Sequence, residues 1–440
     1  MSNIDKNIVN VVLAIMGDEG KKEFEREAWR HRDTDIKYVG KEITLPGDPS
    51  PMPLEAAIET LQRKLYDENQ ILNVHEVISG YPFDAAVGFL KAMKETYGWS
   101  SPVPTPGFWG NSPPQLVTVK TGPEVEDTIQ VPIGSFMVPG IENSIMATIA
   151  PDGSFHVSSQ CKKREKSVLM DLVALTKRII ERESIYRGKA ISLSVDDAGK
   201  LHRDVEPTFL HTKHVIPNEL VMSKSVEELI EDSIFTPIRY TKECQKAGIP
   251  LRRSILLEGP YGTGKTMTAS VASKVCVDNG WTFITLDKVQ GLKEALLFAR
   301  QYQPALVFAE DIDRIAEIRD DQANDLINIM DGILTKGAKV ITVLTTNFVE
   351  RIDKSMMRPG RLDAVINIAP PDAEAAIRLV HLYARSLIKS DESLIQLGQE
   401  LNGHIPATIR EVVERAKLGM VRHNRKLLTE DDLLVSANGM

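Results

Sequence analysis

The residues best suited to chemistry form the run Gly259-Pro260-Tyr261-Gly262-Thr263-Gly264-Lys265-Thr266, continued by Met267. Three glycines, a lysine and a hydroxyl at this spacing suit one task, which is holding phosphates. Glycines leave room for backbone N–H groups to turn inward around phosphate oxygens, and a helix starting at Lys265 adds its partial positive charge. The Lys265 ammonium then reaches the β and γ phosphates of ATP, and the Thr266 hydroxyl ligates Mg2+. An apolar strand, Ser254–Leu257, precedes the run, and a helix from Met267 to Val277 follows it. A glycine-rich turn that matched by accident would lack that setting.

Two further runs carry groups that such a site needs. The apolar stretch Ala305–Ala309 reads as a buried strand and ends in Glu310-Asp311-Ile312-Asp313. One acid must hold the metal, usually through water, and a second must polarise the attacking water. By position Glu310 takes the metal and Asp311 acts as the base. The commoner order is Asp then Glu. Asp311 is one methylene shorter than Glu, so it must reach its water from a different backbone placement. The second stretch, Val340–Leu344, ends in Thr345-Thr346-Asn347, where Asn347 can orient the water or touch the γ phosphate. A catalytically dead relative is the plain alternative, and the survival of both carboxylates argues against it.

Beyond Asn347 the chain reads Ile352-Asp353, then Arg358-Pro359-Gly360-Arg361-Leu362-Asp363. From Thr346 to Asp363 it resembles the second region of homology of AAA ATPases. That resemblance implies that Arg358 and Arg361 project into the ATP of a neighbouring subunit; solvated surface arginines are the bland reading. Further on, Gly403-His404-Ile405-Pro406-Ala407-Thr408-Ile409 stands where the family has Gly-x-x-Gly-Ala-Asp-Leu. Pro406 suits a first helical turn. Arg410 has two readings: a second sensor on the γ phosphate, or an exposed helix arginine paired with Glu414. The resemblance runs from His214 to Met440. It implies magnesium-dependent ATP hydrolysis, a five-stranded parallel sheet with a small helical lid, and a homo-oligomeric ring of six subunits.

The elements that must position these groups divide the chain. Residues 1–100 read as mostly helical, with apolar spacing over Glu55–Leu65 and Phe83–Tyr97; 101–114 is a Pro-rich linker. Residues 115–212 read as an α+β module, with strands at Leu116–Val119, Thr128–Val131, Ser135–Val138, Ser154–Val157 and Ala190–Val195 and a helix over Ser167–Arg182. Residues 213–370 form the large α/β ATPase subdomain and 371–440 the lid, with Thr429 to Asp432 as a capping box. The fold class expected is therefore α/β, a parallel P-loop sheet and helical lid preceded by an α+β N-terminal region. The basic run Lys162, Lys163, Arg164, Lys166, interrupted by Glu165, reads as a solvated helix start rather than a phosphate contact.

Composition narrows the partners. The formal net charge is -8, which lends no support to nucleic-acid binding but leaves a local patch open. Three scattered cysteines exclude a CxxC zinc site or a disulfide framework and fit a reducing compartment. The start of the chain lacks a signal-peptide layout, and no apolar run has the roughly 18 residues that span a bilayer, so a cytoplasmic protein without a membrane partner is expected. No HExxH motif is present, which removes the metalloprotease branch. The leading expectation is a remodeller or translocase of protein clients, with residues 1–212 binding client or adaptor. A nucleic-acid motor or loader and an ATP-gated scaffold are the alternatives. In remodellers of this family a loop after the second strand grips polypeptide; here it is the short Asp287-Lys288-Val289-Gln290-Gly291, in which Lys288 and Val289 are the available grips.

Overall fold

The computed structural model describes residues 37–39, 42–45, 48–99, 101–107, 110–313, 337–352, 362–388 and 393–439. At the N-terminal side, β1 (Lys37–Val39), β2 (Glu42–Leu45) and β3 (Asp48–Met52) form a small antiparallel sheet. The amphipathic helix Leu54–Glu68 buries Ala57 and Leu61 against Ile43 and Leu45.

The next element departs from the helical reading of residues 1–100. Ile71–Ile78 is an eight-residue strand, β4. Val74 and Ile78 face the core while Ile71, Asn73, His75 and Val77 face out, the two-residue period of a strand with one solvated face. The Pro-rich stretch is likewise not a bare linker. It folds as the hairpin of β5 (Thr105–Gly107) and β6 (Gly110–Ser112), and Val103 bridges to Ser135. Proline is tolerated there because such short pairings leave one edge without a ladder to complete.

After it come β7 (Gln115–Lys120), β8 (Thr128–Phe136), β9 (Ile145–Ile149) and β10 (Phe155–Lys162). They join β4 in one antiparallel sheet of order β4-β10-β9-β8-β7, so residues on both sides of the Pro-rich stretch share a sheet. Helices Pro82–Tyr97 and Lys166–Glu183 cover its inner face. Leu169, Leu172, Val173, Thr176, Ile179 and Ile180 supply the buried stripe of the second helix. The two helices approach closely at Gly88, where a Cβ would lie 2.7 Å from Ile180.

The strand expected at Ala190–Val195 also changes place. Residues Ala190–Leu193 (β11) pair in parallel with β14 (Thr282–Leu286), and β12 (Thr208–Phe209) pairs antiparallel on the far side. With β13 (Arg253–Glu258), β15 (Ala305–Ala309), β16 (Val340–Thr346) and β17 (Ala364–Asn367) they form a seven-stranded sheet of order β12-β11-β14-β15-β16-β13-β17. The expected five parallel strands are present; two more extend their β14 edge. The extension follows from sequence, since Ala-Ile-Ser-Leu is buried on both faces and needs a sheet to enter.

One apolar core runs from Val74 and Phe89 of the N-terminal sheet through Tyr186 to Leu296, Val307 and Leu344 of the ATPase sheet. At the junction, Tyr302 accepts from the Tyr81 N–H at 3.0 Å, and its hydroxyl lowers the pKa of the nearby buried Asp84 carboxyl, which burial raises. Asp84 also accepts from Ser184 Oγ (2.8 Å) and Ile185 N (2.9 Å). The lid helices Ala373–Ala384, Ile395–Glu400, Pro406–Arg422 and Glu430–Ala437 have their own core around Leu379, Leu397, Val412 and Leu433. Thr429 and Asp432 form the capping box. Among the described residues, no helix is long and apolar enough to cross a membrane.

Candidate active site

The phosphate loop lies between β13 and the helix Lys265–Asp278, which buries Lys265, Thr268, Val271, Ala272, Val275 and Cys276 on one side. Gly264 caps that helix at φ 111°, a backbone state suited to glycine. Gly259 is needed for a different reason: a Cβ there would come within 2.3 Å of the Ile368 carbonyl oxygen. The buried Lys265 ammonium donates to the Gly259 and Pro260 carbonyls, at 2.7 and 2.8 Å. Burial pulls its pKa below the ordinary lysine value, while the nearby Asp311, Asp313 and Glu310 carboxylates oppose that shift.

The two acids at the end of β15 face different partners. Thr266 Oγ1 donates to Glu310 Oε1 at 2.7 Å. Asn347 Nδ2 donates to Asp311 Oδ1 at 3.0 Å, and Thr345 Oγ1 accepts from the Asp311 N–H at 3.1 Å. Asp311 sits at φ 53°, one of three non-glycine positive-φ residues among those described. Asp313, buried behind them, accepts from Thr346 Oγ1 at 2.8 Å.

A cavity of about 320 Å3 is lined by Lys265, Thr266, Glu310, Asp311, Thr345 and Asn347. A second, of about 770 Å3, lies between Thr263, Val221 and the lid residues Tyr383 and Arg410. Gly264 and Met267 line both. The hydroxyl and carboxylate of Thr266 and Glu310 are hard oxygen donors of the kind that magnesium takes. Asn347 Oδ1 is buried and has no hydrogen-bond partner among the described residues, as expected of an acceptor kept for the hydrogen of a bound water.

Of the expected site residues, those from Gly259 to Met267 with Glu310, Asp311 and Asn347 converge here; Arg358 and Arg361 lie outside the described residues. Arg410 stands over the Tyr383 ring, 5.9 Å from its centroid, on the wall of the larger cavity. The alternative pairing with Glu414 is not formed, because Glu414 pairs with Lys417 at 2.9 Å. Sequence reasoning missed Thr345, Tyr383 and Val221. It also missed an aromatic stack at the mouth, in which Tyr261 meets Phe348 edge-on at 6.1 Å and Arg351 covers Phe348 at 4.2 Å. The one available signal was the tyrosine inside the glycine-rich run.

Of the two residues expected to grip polypeptide, Val289 is covered and Lys288 is exposed. Val289 is only 7% exposed. The turn after β11 lies on this loop: Asp287 Oδ1 accepts from the Val195 N–H at 3.2 Å, and Lys288 pairs with Asp197 at 2.6 Å. Gly199 packs so tightly that a Cβ would lie 2.3 Å from the Gln290 carbonyl oxygen. Val289 is therefore a core residue and not a grip, because the turn that follows β11 packs against this loop.

Residues 255–370 match the family model described as ATPase family associated with various cellular activities (AAA). The chain carries an AAA ATPase module. Similarity extends beyond the AAA match. The chain is 25% identical over 312 residues to Protein SAV of Sulfolobus acidocaldarius, covering 65% of this chain and 38% of that one. It is 29% identical over 233 residues to the 26S proteasome regulatory subunit 8 homolog of Schizosaccharomyces pombe, covering 48% and 57%. It is 28% identical over 267 residues to the cell division cycle protein 48 homolog of Archaeoglobus fulgidus, covering 57% and 35%. The match thus spans less than two thirds of each of these three relatives. The AAA module places its P-loop, both acids and Asn347 on adjacent strand ends of the parallel sheet, where such sheets bind ligands.

Proposed function

We propose that the chain hydrolyses ATP with magnesium in a homo-oligomeric ring and uses the turnover to remodel or translocate a protein client. The observation that carries this reading is the sorting of the two acids, Glu310 to the Thr266 hydroxyl and Asp311 to the Asn347 amide, around one small cavity. Thr266 and Glu310 hold magnesium, which when bound neutralises charge on the phosphates. Lys265 leaves its loop carbonyls for the β and γ phosphates. Asp311 takes the proton of the attacking water, and Asn347 holds that water in line. Arg358 and Arg361 act on the neighbour's ATP, in a ring of six. Arg410 and Tyr383 close the base end from the lid.

The relatives named as proteasome regulatory subunits favour a polypeptide client, bound through the N-terminal region. Three free, buried cysteines suit the reducing cytoplasm. The test is turnover in the presence of an unfolded polypeptide, which should rise. The burial of Val289 favours a second reading, an ATP-gated scaffold that pulls nothing. Unchanged turnover with polypeptide, together with an ATP-dependent change in assembly mass, would select it.

A further inference from the structure

Leu220 and Val221 stand between two cavities. One is the larger cavity beside the phosphate loop; the other, of about 740 Å3, is lined by Ile230, Phe235, Val271 and His381 among others. Leu220, Val221 and the lid residue Leu382 line both, so this short segment is a partition with open space on either side. Packing alone does not fix such a partition, because a side chain that faces a cavity lacks neighbours to hold it. Leu220 and Val221 are accordingly only half-buried, whereas the next residue, Met222, is 2% exposed.

An ion pair does what packing does not. The helix Lys224–Ile230 carries Glu227, and the lid helix Ala373–Ala384 carries Arg378. Glu227 Oε1 accepts from the Met222 N–H at 2.9 Å, and Arg378 Nη2 donates to the Met222 carbonyl. Arg378 Nη1 closes the ring by donating to both Glu227 oxygens, at 2.9 and 3.0 Å. Both backbone groups of Met222 are thus held at once, by bonds of the charge-assisted kind, which are about twice as strong as neutral ones. The Met222 methyl lies against Gly264 at the head of the phosphate-loop helix, 3.0 Å from where a Cβ there would stand. Leu379, Leu382 and Tyr383 of the same lid helix also line the larger cavity. The arginine that grips one wall therefore stands on the helix that supplies another.

We propose that Glu227 and Arg378 are positioning residues for nucleotide binding: by clamping Met222 they hold Leu220 and Val221 at the distance from Tyr383 that the base end of ATP requires. The proposal rests on the reading that the base end lies in the larger cavity. Neither charged side chain touches nucleotide in this role; each acts through Met222. A second ion pair, Lys224 with Glu374 at 2.6 Å, joins the same two helices at the surface without bonding to Met222. It separates the two roles the clamp could have, attaching the lid and setting the wall.

The test titrates ADP, which carries the base end and is not turned over, into the full chain by calorimetry. Arg378→Met and Glu227→Leu should each weaken ADP binding about tenfold. The double variant should be no weaker than either, since both side chains act through one residue. Turnover at saturating ATP should stay within about twofold of the wild type, so that the loss appears in KM and not in kcat. Arg378→Lys keeps the charge and disturbs the fold least, yet offers one nitrogen where two are used; it should still lose about threefold. Lys224→Ala should bind ADP as the wild type does. Wild-type affinity in Arg378→Met and Arg378→Lys, additive losses in the double variant, or an equal loss in Lys224→Ala would overturn the clamp. Tyr383→Ala tests the reading beneath it. Weakened ADP binding there, with none in the clamp variants, would remove the clamp alone. Unchanged binding in Tyr383→Ala would remove the base end from this cavity and the proposal with it.

Discussion

Asn347 Nδ2 donates to Asp311 Oδ1 across 3.0 Å, and the acid that receives this bond sits at φ 53°. The two facts belong together. Asp311 is the shorter acid in the position where a longer one is usual. A left-handed turn, which aspartate tolerates better than most residues, swings it toward Thr345 and Asn347. Glu310, one residue earlier, reaches the other way to Thr266. Backbone placement thus replaces side-chain length, at a conformational cost of about 1–3 kcal/mol.

Lys265→Ala removes the one lysine among the described residues that line the smaller cavity. ATP binding or turnover should fall to background, read by phosphate release and by nucleotide fluorescence. The fold should survive, because the ammonium satisfies only loop carbonyls.

Tyr302→Phe tests the junction between the two sheets. It leaves the Tyr81 N–H unpaired, which should cost about 1–3 kcal/mol in denaturant titrations. The pH dependence should also steepen. Burial already raises the Asp84 pKa, so the folded state holds that proton longer than the unfolded chain. The stability it gives is full below the unfolded value and is lost as pH rises through the folded one. Removing a donor raises the folded value further and enlarges that loss. An unchanged slope in the acid range would contradict the network.

Val289→Ala should destabilise the protein by about 1–2 kcal/mol, as for a buried methyl pair removed from a packed site. Lys288→Ala, at the surface, should leave the melting temperature and polypeptide stimulation alone. The opposite pattern would return this loop to a gripping role.

The grouping of the candidate site was legible in the sequence because it depends on local order. A glycine-rich run between strand and helix, and acids at the ends of apolar strands, need no tertiary information. What escaped was set by pairing. The strand Ile71–Ile78 has the period of a strand, but it was read with the helices around it, and only its full-length pairing with Phe155–Lys162 makes it one. Ala190–Leu193 was recognised as a strand yet joins the other sheet, since four buried residues do not state which edge they extend. The covering of Val289 follows from that placement, and so could not be read earlier. Tyr383 and Val221 line the larger cavity only through packing of the lid.

An Arg358→Ala, Arg361→Ala variant added to wild-type protein should lower total turnover more than dilution does, if each subunit completes its neighbour's site. Turnover of wild-type protein should also rise faster than linearly with concentration until rings fill. Strict additivity on mixing would leave a self-contained site.

The most direct test of the account compares nucleotide binding and turnover in Asp311→Asn and Glu310→Gln. The account predicts that Asp311→Asn binds ATP with magnesium nearly as the wild type does and fails to hydrolyse it, while Glu310→Gln loses magnesium-dependent binding. Turnover surviving in Asp311→Asn, with hydrolysis abolished but binding intact in Glu310→Gln, would contradict it and give the base role to Glu310.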